Sequence, residues 1–65
     1  MKLIVNGESL EKDVKSLAQL LKTMDIPERG VAVAVNNSMI RRDNWADFSL
    51  SEGDNILVIK AACGG

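Results

Sequence analysis

The chain has 65 residues, room for one domain at most, and a domain this small buries only about 60% of the surface its unfolded chain exposes. One cysteine and no histidine exclude an intramolecular disulfide and a zinc site, so stability must come from an aliphatic core, which a hydrophobic content of 46% can supply. Eight basic residues interspersed with nine acidic ones, for a net charge of -1, exclude the basic stripe of a nucleic-acid binder, and no apolar run approaches the ~20 residues that span a membrane.

In chain order, Lys2 to Val5 reads as a short strand and Asn6-Gly7 as a tight hairpin turn. Glu8 to Lys12 returns as a second strand with Leu10 as its apolar contact. Leu17, Leu20, Leu21 and Met24 fall on one helical face, and Ser16 with Gln19 forms a capping box in front of them. Pro27 cannot extend that helix and restricts Ile26, which predicts an end near Met24 or Asp25. Val31 to Val35 alternates valine with alanine: the valines suit a buried face, and the alanines leave room for close packing on the other. Asn36-Asn37-Ser38 is a turn, and Met39 to Arg41 resumes an extended path. Asp43 to Phe48 is an irregular or short helical stretch carrying Trp45, and Ser51 to Asp54 is another turn. Ile56 to Ile59 is a continuous apolar run, typical of a strand buried on both faces.

A hairpin, a helix and further strands, with the most apolar strands first and last, predict an α+β, two-layer β-grasp fold: a mixed sheet of four to five strands with one main helix on one face. Residues 1–61 form the expected domain and 62–65 a flexible tail. In the last strand Ile56 and Val58 point to one face, Leu57 and Ile59 to the other. One helix covers one face, so Leu57 and Ile59 are candidate docking residues on an exposed apolar patch, unless Trp45 and Phe48 fold over it. Met24 and Met39 read as core fillers. The apolar run before Asn6-Gly7 is too short for a signal peptide, and a lone thiol suits a reducing cytoplasm.

Conventional catalysis has little to work with: there is no histidine, no nucleophile–base pair and no glycine-rich phosphate loop. Asp43 and Asp47, and Arg41 and Arg42, read as solvated surface charges. The tail Gly64-Gly65 differs, because two glycines remove all side-chain bulk and let a narrow channel of another protein accept an extended chain end. The Gly65 carboxylate then meets that enzyme, and an ATP-using partner would convert it to an acyl adenylate that a sulfur donor attacks, giving a thiocarboxylate. By itself a terminal Gly-Gly is weak, since chain ends are often glycine-rich.

The surrounding sequence is stronger. Val33-Ala34-Val35-Asn36, Ile40-Arg41-Arg42-Asp43-Asn44-Trp45, Gly53-Asp54-Asn55-Ile56-Leu57 and Gly64-Gly65, in that order and spacing, resemble the thiamin-biosynthesis sulfur carrier family, ThiS, over essentially the whole length. Arg41 departs from the family, which often has proline there, and Cys63 stands where a small apolar residue is common. The resemblance implies a ubiquitin-like carrier without catalysis or a permanent cofactor of its own. Gly65 would be adenylated by an E1-like, ThiF-like adenylyltransferase that uses ATP, with Gly64 aiding passage of the tail. Sulfur from a donor would then pass to a ThiG-like thiazole synthase, with no nucleic-acid or membrane partner.

Three rivals stay open: the same tail chemistry serving molybdopterin, cysteine or tRNA thiolation; a ubiquitin-like binding module without tail chemistry; and a modifier joined to lysines through Gly65. Cys63 reads as a small tail residue without a special role, Arg41 and Arg42 as weak solvated ion pairs with Asp43 rather than as steering charges for an acidic partner, and Trp45 as a cap on the core.

Overall fold

The computed structural model describes residues 1–60; the expected tail boundary, Cys63, Gly64 and Gly65 lie outside the described residues. Strand β1 (Lys2–Val5) turns into β2 (Glu8–Glu11) through Asn6 and Gly7, whose φ angles of 51° and 83° are the two positive values of a type I′ turn. The two-residue loop fixes the register at Val5 opposite Glu8. Strands β3 (Val31–Val35) and β4 (Ser38–Ile40) are joined the same way by Asn36 and Asn37, with φ of 51° and 72°. Asparagine tolerates this left-handed region, so the second turn forms without glycine.

Helix α1 (Leu17–Thr23) begins where expected. Ser16 Oγ accepts the Gln19 N–H at 3.2 Å, while Gln19 Oε1 accepts the N–H of Lys15, at 2.8 Å, rather than that of Ser16. The reciprocal bond of the capping box therefore falls one residue early. At the other end Met24 caps the helix, Asp25 takes a φ of 59°, and the Ile26 N–H reaches back to the Leu21 carbonyl at 2.9 Å ahead of Pro27. After a 3-10 turn (Arg42–Asn44), strand β5 (Asn55–Lys60) completes the sheet in the order β2-β1-β5-β3-β4. β5 is central, parallel to β1 and antiparallel to β3. This is the mixed five-stranded form of the expected α+β β-grasp arrangement.

The core lies between α1 and one sheet face. Leu17, Leu20 and Leu21 meet Leu3, Val5, Val33, Val35 and Ile56, all buried. Each such aliphatic side chain contributes about 1.5–3 kcal/mol on burial. Trp45 closes the same layer: its Nε1–H donates to the Ile40 carbonyl at 2.9 Å, and its own carbonyl accepts from Ala18 at 3.1 Å. The Phe48 carbonyl accepts the Leu17 N–H at 2.9 Å. Trp45 and Phe48 thus close the helix side and do not fold over the opposite face. Two expectations are corrected as a result. β5 is buried on one face only, because a single helix supplies a single covering layer. Met39 is not a core filler: it is 64% exposed.

Candidate docking face and tail exit

Alternation along β5 places Ile56 in the core and leaves Leu57 and Ile59 on the uncovered face, each 48% exposed. Cross-strand register assembles their neighbours. Ala34 sits between Leu57 on one side and Met39 on the other, and Ala32 lies opposite Ile59. Ile4 reaches the same face through its pairing with Asn55. The alanines form a low floor, and Met39, Leu57 and Ile59 stand around it as the exposed large hydrophobic side chains of the described residues. Met39 is the member that sequence reasoning missed. The two-residue turn after Val35 puts Ser38 opposite Val35 and hence Met39 opposite Ala34, on the alanine face, whereas the sequence marks a turn over Asn36-Asn37-Ser38 without fixing its length.

Side-chain hydrogen bonds tie down the start of β5. Asn36 Oδ1 accepts the Asn55 N–H at 3.0 Å, Asn36 Nδ2 donates to Asp54 Oδ1 at 3.0 Å, and Asp54 Oδ2 accepts the Ser51 N–H at 2.8 Å. From this anchor the strand runs to Lys60, the last described residue, on the way to Gly64 and Gly65.

Alternation along β1 puts Lys2 on the same face as Ile4, with Glu11 opposite it at the edge of the sheet. The ion pair among the described residues joins the Met1 amine to Glu11 at 2.9 Å. The amine also donates to the Lys12 carbonyl at 2.8 Å, and its pKa is raised, chiefly by the hydrogen bond to Glu11. Arg41 and Arg42 are exposed and line an open, polar recess with Glu28 and Asp43. A second groove, between α1 and Trp45, includes Leu21, Ile26 and Lys22 in its walls. Among the described residues no three histidine, cysteine, aspartate or glutamate side chains converge as a metal site. No helix of the described residues is long and apolar enough to cross a membrane. The arrangement suits presentation: an apolar face for a partner, on the strand that leads to the chain's last residues.

Comparison with known proteins bears on the family and the fold. Residues 3–65 match the model of the ThiS family. The sulfur carrier protein ThiS of Escherichia coli (strain K12) is 27% identical over 66 residues, with the whole of both chains covered. A crystal structure of the thiamine biosynthesis protein ThiS from Geobacter metallireducens superposes with a TM-score of 0.84 at 23% identity, again covering both chains entirely. A solution structure of a thiamine biosynthesis protein from the same organism gives 0.79 at 23% identity, covering all of this chain and 88% of the other. At that identity the two structures speak to the fold, which they share with this chain.

Proposed function

The chain belongs to the ThiS family, and from that premise we propose that it is a sulfur carrier of thiamin biosynthesis whose Gly65 carboxylate carries the sulfur. The observation behind this reading is that the family match runs through residue 65, so Gly64 and Gly65 fall within it. A carboxylate is a poor acyl donor. An adenylating, E1-like partner would join it to ATP, releasing pyrophosphate and leaving an acyl adenylate. A donor supplying sulfur at the sulfide level would then displace AMP, leaving a thiocarboxylate on Gly65. Glycine leaves that acyl carbon sterically open, and Gly64 lets the end pass through a narrow channel. The ionised thiocarboxylate would give its sulfur to a thiazole synthase.

In this scheme ATP belongs to the partner, and the carrier contributes presentation rather than catalysis. Leu57 and Ile59, with Met39 beside them, form the docking surface for the activating and accepting enzymes. The lone cysteine suits a reducing compartment, and the cytoplasm is the proposed location.

Intact-mass measurement of untagged protein, purified from cells containing its natural partners, tests the reading. The expected result is a subpopulation heavier by the difference between sulfur and oxygen, absent when Gly65 is deleted. Unmodified mass alone, even after incubation with ATP, a sulfur source and the cognate adenylating enzyme, would remove the carrier reading in favour of a binding module. A thiocarboxylate that thiazole synthase fails to consume would move the carrier to another pathway.

A further inference from the structure

The central strand loses one of its two neighbours before it ends. The Asn36 N–H donates to the Asn55 carbonyl at 2.8 Å, so the odd-numbered residues of β5 turn their backbone polar groups towards β3. The even-numbered residues turn theirs towards β1: the Asn6 N–H donates to the Ile56 carbonyl at 2.9 Å. The β1–β5 register stops at Val5 opposite Ile56, because Asn6 and Gly7 turn the chain away into β2. At the next step the Val58 N–H is taken by a side chain, Asn6 Oδ1, at 2.8 Å. Asn6 thus substitutes for one missing rung of the ladder. Beyond it the Val58 carbonyl and the Lys60 N–H face the side that β1 has left. Among the described residues neither has a side-chain or turn-backbone partner there. A short length of strand edge therefore opens beside an exposed apolar face, on the segment that leads to the tail.

We propose that the Val58–Lys60 edge of β5 pairs backbone to backbone with an extended segment of the adenylating enzyme, continuing the sheet where β1 leaves it. The proposal rests on the carrier reading and deepens it. Leu57 and Ile59 give affinity to the face, but apolar contacts tolerate sliding. A backbone ladder fixes the strand in steps of one residue pair and so sets the point from which the last five residues reach for the active site. The short edge also limits unwanted pairing, since Asn6 closes its inner end and Lys60 places a charge at its outer one.

Amide hydrogen exchange on the wild-type carrier, free and bound to its cognate adenylating enzyme, reads the edge directly. The Lys60 amide is expected to exchange quickly in the free protein and at least about tenfold more slowly in the complex, whereas the Ile59 amide, directed at β3, is protected in both. Substitution gives a second readout. Lys60→Pro removes an N–H that β3 does not use, and should weaken binding by roughly fivefold or more. Lys60→Ala keeps the N–H, removes the charge, and should bind nearly as the wild type does. An unchanged Lys60 amide in a complex that does form would overturn this proposal alone, as would equal losses from the alanine and proline variants. No complex with the wild-type chain would overturn the carrier reading along with it.

Discussion

At the scale of residues, the asparagines at the turns do the work that a larger protein assigns to added structure. Asn6 supplies a left-handed turn residue and a carbonyl that ends the β1–β5 ladder; Asn36 supplies the same backbone conformation and ties Asp54 and Asn55 to the start of β5. The identity of Asn6 as a turn residue was legible from its Gly7 neighbour, but its bond to Val58 spans 52 positions and was not. The Met1 amine gives a pH-dependent term. Its pKa is raised in the folded state by Glu11, so the stabilisation is fully present below the unfolded value of about 8 and is lost as pH rises through the folded value. Glu11→Gln should therefore lower stability at neutral pH, and the difference from wild type should vanish at strongly alkaline pH. Urea unfolding of both proteins between neutral and alkaline pH measures it; a difference that grew with alkalinity would rule the assignment out.

Among the elements, α1 depends most on its surroundings. Seven residues are too few for an isolated helix in water, so packing of Leu17, Leu20 and Leu21 on the sheet and the bonds at Ser16 sustain it. Ser16→Ala should cost about 0.5–2 kcal/mol in urea unfolding, because the Gln19 N–H loses its acceptor. An unchanged midpoint would show that water replaces the cap without loss. The helix was readable because its periodicity, its cap and the Pro27 stop all agree within a few positions. β4 was readable as an extended segment, but the role of Met39 was not. A short strand has no periodicity strong enough to choose a face, and only pairing with β3 decides that Met39 joins Leu57 around Ala34.

At the scale of the molecule, a two-layer fold leaves one sheet face bare, and that asymmetry is the basis of the docking proposal. Replacing Leu57 and Ile59 together by serine should lower the unfolding free energy by about 1.5–3 kcal/mol, the half-burial that the two side chains give up. The same double variant should bind the adenylating enzyme at least about tenfold more weakly. Titration calorimetry beside urea unfolding separates the two effects. Unchanged affinity would move the docking surface elsewhere, while a loss of stability well beyond that range would mean that the face is structural.

The sequence by itself determined the local elements and the chemical resources: two asparagine turns, one amphipathic helix, an apolar last strand, no histidine, and a final Gly64-Gly65. These are properties of neighbours in the chain, set by backbone sterics, side-chain periodicity and composition. It also placed Leu57 and Ile59 opposite Ile56, since strand alternation is local. Only the tertiary structure decided which face the helix covers, that Trp45 closes that same side, that Met39 belongs to the open face, and that β1 leaves β5 before the latter ends. Each of these depends on pairing between distant segments, and a register of that kind is fixed by the summed packing of the whole core rather than by any one stretch of residues.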